Sequence, residues 1–208
     1  MAKNRRRNQK SPQTGRENGL LAQIKSDLSA CTNVRVLCVC AMLAAMSLIL
    51  EKFLQIPNPF QEIIRISFGN LPLILAGIAF GPLMGAMTGA VADLLGCALY
   101  GYAINPLVTV GAATVGFTAG LFACYLVRRP IVLKVAVATV AAHLAGSVLV
   151  KSIGLAAWYL GSYNIGLGEL IAWRLLTYAI VGTLECILLC LLLRHRAVVS
   201  QLERMRKK

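Results

Sequence analysis

The stretch GPLMGAMTGAVADLLG, residues 81–96, decides the fold class of this chain. Its glycines recur every fourth residue, at Gly81, Gly85 and Gly89, and Asp93 continues the same spacing. On an α-helix this spacing places all four residues on one face, and glycines there let a neighbouring backbone approach closely. Because a carboxylate is costly against lipid, we predict that Asp93 faces protein. It then either caps or bridges backbone groups where the preceding helix is broken, the role we favour, or contacts a ligand.

The composition is that of an integral membrane protein. Of the 208 residues, 58% are hydrophobic and 14% are charged, and the mean hydropathy is +0.71. Soluble domains average about 25% charged residues, so this chain has too little polar surface to cover a soluble globule. Its apolar runs are long and helix-like rather than short and alternating. We therefore predict an all-α integral membrane protein of one compact domain.

Six apolar runs predict six transmembrane helices. The second run is short, because a span needs about 20 residues. It either recruits residues 63–70 or forms a partial helix packed inside the protein. The runs are 34–50, 71–80, 83–100, 106–127, 131–158 and 170–193.

The basic residues set the predicted orientation in the membrane. Most of the 21 lysines and arginines fall in three clusters: up to the start of the first run, in the loop 127–134, and in 194–208. Since cytoplasmic loops carry an excess of basic residues, we place both termini of this multi-pass plasma-membrane protein in the cytoplasm. The net charge of +13 thus reports topology, and we expect no nucleic-acid partner. The chain is predicted to have three parts: a basic cytoplasmic N-terminal tail over 1–33, a six-helix membrane substrate-binding domain over 34–194, and a basic cytoplasmic tail over 195–208. Within the N-terminal tail, residues 20–30 form either an interfacial helix or a solvated segment.

Three cations near the predicted outer side indicate an anionic ligand. Arg65 lies in the first outer connection, and Lys151 and Arg174 lie in the outer halves of the fifth and sixth runs, with few acidic residues to match them. Charged groups at membrane depth usually face protein or a cavity. Two alternatives are open: Lys151 snorkels to the outer headgroups, or Arg174 pairs with Glu169.

The predicted outer connections have the composition of a lid over a small molecule. Residues 51–70, 100–106 and 159–169 are rich in aromatic residues, Asn, Gln, Pro and Gly. These residue types suit a ligand lid, but they also occur in any interfacial loop. The candidates to stack on or cover a flat ring, chosen from location alone, are Phe68, Trp158 and Tyr163.

The sequence lacks the motifs of an enzyme. It has no GxxxxGKS/T, HExxH or GxSxG motif and no pair of catalytic carboxylates. We predict no catalytic residues, and the chain cannot power ATP-driven transport by itself. Seven cysteines without a CxxC motif are interpreted as small buried hydrophobic residues, so we predict no metal site. We interpret His143 as a packing histidine, whereas Glu185 needs a hydrogen-bond partner that the sequence does not name.

A small-residue surface recurs in the first run, where Ala41 and Ala45 lie one turn apart. Such a surface lets helices pack closely. It serves either packing within the chain or docking of another membrane subunit.

Three segments carry a resemblance to a known family. They are TNVRVLCVCAMLAAMSLILEKFLQIP at 32–57, RISFGNLPLILAGIAFGPLMGAMTGAVADLLG at 65–96 and WRLLTYAIVGTLECILLCLLLR at 173–194. Over roughly residues 22–194 the chain resembles the vitamin-specific S components of the energy-coupling factor (ECF) transporters, and most of all the folate-type subfamily. The ordered set RISFG, LP, GPLMG and ADLLG is the specific part of this resemblance.

The resemblance implies six helices around a pocket that opens outward and binds a vitamin with high affinity, folate in this subfamily. It implies no cofactor and no ATPase activity in this chain, since two cytoplasmic ATPase subunits act through a membrane-embedded coupling (T) subunit. In that family an AxxxA motif contacts the coupling subunit, and Ala41 and Ala45 match it. Arg65, Lys151 and Arg174 would then hold the carboxylates of the ligand.

The chain departs from the folate-type pattern on its outer side. YGYAINPLVTVG, residues 100–111, stands where the subfamily tends to carry an aromatic-proline-glycine segment. Lys151 stands in place of an asparagine, and Gly69-Asn70 replaces a glycine followed by an aromatic residue. Folate, another folate-like pterin and a smaller anionic vitamin such as pantothenate are therefore all candidate substrates.

Two hypotheses from other classes stay open at this point. The chain could be a self-sufficient secondary transporter, driven by a proton or sodium gradient through Asp93 and Glu185. Such a transporter is expected to show inverted internal repeats, and the sequence shows none. A membrane enzyme or assembly factor is the weaker option, because no catalytic constellation is visible.

Overall fold

The computed structural model describes residues 27–29, 31–54, 67–101, 103–126, 130–163 and 167–206. Within these ranges the chain is helical with short connections and without β-strands, which confirms the predicted all-α class. Two π-helical segments, Phe122–Leu126 and His143–Val150, extend α4 and join α5 to α6. The α-helices are α1 (Val34–Phe53), α2 (Asn70–Phe80), α3 (Pro82–Tyr100), α4 (Pro106–Leu121), α5 (Ile131–Ala142), α6 (Lys151–Tyr163), α7 (Leu167–Arg194) and α8 (Arg196–Arg206).

Asparagine side chains begin two of the long helices. The Asn33 side chain accepts a hydrogen bond from the Arg35 backbone N–H at 3.1 Å and caps α1. Asn105 caps α4 in the same way, by accepting from the Leu107 N–H at 3.1 Å. Pro106 follows Asn105 at the first helical position. The backbone N–H that proline lacks would have no partner within the helix there, so no hydrogen bond is lost. These caps fix the N-terminal boundaries of both helices.

Helix α2 is too short to span a membrane. Among the described residues, five helices are long and apolar enough to cross, and α2 is not one of them. Its 11 residues extend about 16 Å, against about 30 Å of hydrocarbon. Every residue of α2 except Ala79 is buried. It is therefore a partial helix packed inside the protein, which is one of the two predicted alternatives. The described residues hold five candidate spans, and a sixth span and the sides of the termini stay predictions.

A sharp break at Gly81 and Pro82 separates α2 from α3. Gly81 has a φ of 99°, which only glycine adopts without strain, and Pro82 opens α3. Beyond the break, a Cβ atom on Gly85 would lie 2.7 Å from the carbonyl carbon of Gly116, and one on Gly89 would lie 2.8 Å from another backbone carbon of α4. The predicted close approach is confirmed at Gly85 and Gly89, whereas Gly81 lies outside the helix.

Two short segments cover the end of the bundle that the charge distribution places in the cytoplasm. Asp27, in a helical piece at 27–29, is buried beside Gly81 and accepts a hydrogen bond from the Tyr125 hydroxyl at 2.6 Å. At the other terminus, α8 follows a bend at His195 and packs against α1, α2 and α7. The region that we predicted as a C-terminal tail is therefore helical over Arg196–Arg206. Most of the N-terminal tail, including 20–26, lies outside the described residues.

Candidate functional site

A cavity of about 140 Å³ lies among α1, α2, α3, α4, α6 and α7. It brings together Asp93, Lys151 and Arg174, which come from three different helices and which the sequence singled out separately. The charged and amide side chains that line it, among the residues the structure describes, are Glu51, Asn70, Asp93, Asn105, Lys151 and Arg174.

Arg174 carries a buried donor that the described part of the chain leaves unfilled. The side chain is 4% exposed, and its Nη1 donates to the backbone carbonyl of Ser147 at 2.5 Å. Its Nε has no hydrogen-bond partner among the described residues. Burying a cation is costly unless its donors are satisfied, so Arg174 is a candidate to contact an anionic or carbonyl group in the cavity, and that contact stays a prediction. Glu169, the partner considered from sequence, is exposed.

Lys151 reaches the cavity through a gap left by a glycine. It is half-buried at the start of α6, and a Cβ atom on Gly111 of α4 would lie 2.5 Å from its Cγ. The absence of a side chain at Gly111 thus leaves room for the lysine stem. Because Lys151 lines a cavity within the protein, it has a reason to be at this depth other than snorkelling; its contact with a ligand stays a prediction.

Asp93 faces protein, as predicted, and joins two helices. The Thr109 hydroxyl donates to Asp93 Oδ2 at 2.7 Å, which links α3 to α4. The partner is thus a side chain of the following helix, not the backbone at the break before α3 that we had favoured. Since Asp93 also lines the cavity, its contact with a ligand is still open.

Sequence reasoning missed the other polar groups of the cavity. Glu51 lines it together with Asp93, so the two cations do have acidic neighbours, contrary to our expectation. Asn70 donates to Ser147 Oγ at 3.2 Å, and Asn105 donates to a backbone carbonyl of α6 at 2.9 Å. The available signals were positional: Asn105 directly precedes a helix-opening proline, and Gly69-Asn70 departs from the folate-type pattern on the outer side.

None of the three aromatic residues predicted to contact a ligand is found among the described residues that line the cavity. Phe68 is half-buried and is not among the residues that line the cavity, whereas Tyr178 of α7 does line it. Arg65 and the side chains of Trp158 and Tyr163 lie outside the described residues. Their contacts with a ligand stay predictions.

The small-residue surface of α1 points away from the described bundle. Ala41 and Ala45 are exposed, while the adjacent Ala44 and Ser47 are buried. Within the described ranges, the exposed pair is therefore not used for packing between the chain's own helices. Docking of another membrane subunit there stays a prediction.

The buried carboxylate of Glu185 has a histidine partner. His143 Nε2 lies 2.7 Å from Glu185 Oε2, with both side chains buried. The His143 ring also stacks on Tyr178, with 4.8 Å between ring centroids. The interpretation of His143 as a packing histidine agrees with these contacts, and the same pair supplies the partner that Glu185 requires.

Comparisons with known proteins agree on one family. The model of the family described as "ECF transporter, substrate-specific component" matches residues 35–193. The folate transporter FolT of Clostridium novyi (strain NT) is 34% identical over 89 residues, which cover 43% of this chain and 45% of that protein, so the match spans less than half of this relative.

Two solved structures share the fold. A crystal structure of FolT bound with folic acid is 25% identical, with a TM-score of 0.55 over 73% of this chain and 87% of that one. The S component of a bacterial ECF transporter is 22% identical, with a TM-score of 0.54 over 74% of this chain and 92% of that one. The second likeness supports the fold alone.

Proposed function

Because this chain belongs to the substrate-specific components of ECF transporters, we propose that it is a membrane-embedded, high-affinity binding subunit for an anionic vitamin, folate or a related pterin. The observation that carries this proposal is the buried Arg174, which lines the cavity together with Lys151 and whose Nε has no hydrogen-bond partner among the described residues. The similarity to the folate transporter and to the folic acid complex supports the choice of vitamin.

The cavity offers complementary groups to such a ligand. Arg174 and Lys151 donate charge-assisted hydrogen bonds to a carboxylate, which are the stronger kind. Glu51 and Asp93 accept from N–H groups of the kind that a pterin ring carries. Tyr178 adds an aromatic wall. A ligand that is anionic at one end and rich in N–H donors at the other uses both kinds of group.

The size of the cavity leaves pantothenate as a second candidate. Sites for drug-sized ligands have volumes of about 300 Å³ or more, whereas this cavity measures about 140 Å³. It accommodates one end of folate or most of a smaller anion. Folate with pantothenate as the competing ligand is therefore the comparison that decides the substrate.

Transport in this proposal depends on other subunits. Two cytoplasmic ATPase subunits supply the energy through a membrane coupling subunit, which docks on the exposed Ala41 and Ala45 of α1. Both termini of the chain then lie in the cytoplasm, and the cavity opens to the other side of the plasma membrane.

A binding experiment tests the proposal. Purified protein is titrated calorimetrically with folate, pteroate and pantothenate, where pteroate lacks the glutamate carboxylates. Loss of a hydrogen bond to a charged group costs about 1.5–3 kcal/mol, so Arg174→Met and Lys151→Met should each weaken folate binding about tenfold to a hundredfold. Lys134→Met, at a half-buried lysine of α5 outside the cavity, is the matched control.

Further measurements decide between the proposal and its alternatives. Thermal unfolding of each variant shows whether a lost affinity reflects a lost fold, and Arg174→Lys retains the charge where Arg174→Met removes it. Wild-type protein that binds none of the three ligands, or affinity unchanged in both cavity variants, contradicts the proposal. Uptake into vesicles without any ATPase partner would favour the ion-coupled alternative instead.

A further inference from the structure

The C-terminal helix α8 has two unlike sides and lies outside the candidate site. Val198, Val199 and Leu202 are half-buried, and Leu202 packs against the hydrophobic core. Arg196 and Arg204, eight residues apart and hence on one side, are exposed. A short helix with an apolar side toward the bundle and a basic side outward has the pattern of an interfacial helix.

The contacts of α8 show how it lies relative to the bundle. The 28 residues of α7 extend about 42 Å, which exceeds the hydrocarbon thickness of about 30 Å, so its end at Arg194 reaches the membrane boundary. After the bend at His195, α8 contacts α1 and α2 as well as α7. A helix that continued in the direction of α7 would leave the bundle, so α8 must turn back across its end.

Exposed arginines gather at this end of the bundle. We call Arg35, Arg194, Arg196 and Arg204 the arginine face; all four are exposed. Arg35 lies in the first turn of α1, which α8 contacts. The sequence adds Arg206, Lys207 and Lys208 and only one acidic residue in α8, Glu203. Asp27, at the same end of the bundle, is buried and accepts a hydrogen bond from Tyr125.

We propose that the arginine face binds the headgroups of anionic phospholipids in the leaflet next to α8. A helix that lies across the membrane boundary places its arginines at headgroup depth, where phosphate oxygens are the available anions. Guanidinium groups bind such oxygens in a forked, bidentate geometry. Each basic residue near an anionic surface contributes about fivefold in affinity. The attraction is electrostatic, so salt weakens it.

The test compares lipids on the full chain. Purified protein receives phosphatidylglycerol or phosphatidylcholine in detergent, and bound lipid is counted by native mass spectrometry. We expect preferential retention of phosphatidylglycerol. The double variant Arg196→Gln/Arg204→Gln should bind it about 25-fold more weakly. Lys52→Gln, at an exposed lysine near the C-terminal end of α1, should bind it as the wild type does.

The remaining outcomes are equally decisive. Unchanged phosphatidylglycerol binding in the double variant, or an equal loss in Lys52→Gln, overturns the proposal. The proposal also fails if the double variant no longer co-purifies with the ATPase and coupling subunits but still binds phosphatidylglycerol. The arginine face would then serve a protein partner. The unfolding temperature of each variant, measured in phosphatidylcholine and compared with that of the wild type, checks that the variants are folded. The proposal does not depend on the substrate, and vitamin affinity should be unchanged.

Discussion

Replacing Gly85 with alanine tests the backbone contact that joins α2, α3 and α4. The added Cβ atom would lie 2.7 Å from both the carbonyl carbon of Gly116 and the Cα of Gly77, whereas ordinary contacts begin near 3.4 Å. The shortfall of about 0.7 Å is against backbone on two helices, so relief requires a whole helix to move. Overpacking of this kind typically costs about 1–3 kcal/mol, and we expect the upper part of that range.

Gly96→Ala in the same helix is the matched control. There the nearest atom is the end of the Leu48 side chain, at 3.1 Å, which can move by rotation. Both substitutions gain the same helix propensity of about 1 kcal/mol, so this term cancels in the comparison. The free energy of unfolding of Gly85→Ala should therefore fall below that of Gly96→Ala by about 2–3 kcal/mol.

Thermal unfolding in detergent, followed by size-exclusion chromatography, measures the difference. For a chain of this size, about 2–3 kcal/mol corresponds to a difference in Tm of about 4–12 °C. Gly96→Ala should unfold at or above the wild-type temperature. Equal stability of the two variants would refute the reasoning, since the three helices would then not be held at backbone distance.

Three further predictions concern buried polar contacts. Glu185→Ala leaves His143 buried without its partner and should cost about 3 kcal/mol of stability, whereas Glu185→Gln should retain much of it; equal loss in both would contradict the role of the hydrogen bond. Asp93→Asn still accepts the hydrogen bond from α4, so it should unfold within about 1 kcal/mol of the wild type, and a drop in vitamin affinity would then identify a ligand contact. Tyr125→Phe removes the bond to Asp27 and should speed trypsin cleavage in the N-terminal region about tenfold; an unchanged rate would show that this bond does not hold the segment.

The helices could be predicted because each depends on a local pattern. Long apolar runs predicted the membrane class and most helix boundaries. The Asn-Pro pair before α4 is a helix start that the sequence alone shows. Helix α2 could not be settled this way. Its apolar run is equally compatible with a longer span and with a buried partial helix, and only packing on all sides distinguishes the two.

The residues of the candidate site could be predicted only where a local pattern marked them. Lys151 and Arg174 stood out because charge is rare in apolar runs. Glu51 and Asn70 did not stand out by polarity, since they lie at helix ends where polar residues are ordinary, and Asn70 was noted only as a departure from the folate-type pattern. Their participation follows from the way six helices converge on one cavity. The residue spacing within a single helix contains no information about that convergence.

The sequence by itself determined the membrane location and the protein-facing side of α3, because hydropathy and four-residue spacing are properties of each segment. It indicated the family through its resemblance to known motifs, which are likewise local. Only the tertiary structure decided that Asp93 bonds Thr109, that Glu185 bonds His143, and which polar groups share a cavity. Those pairings join residues that are distant along the chain, or on different helices. The distance in space between the paired side chains is set by how the helices pack against one another. The glycines permit close packing but do not specify which side chains meet.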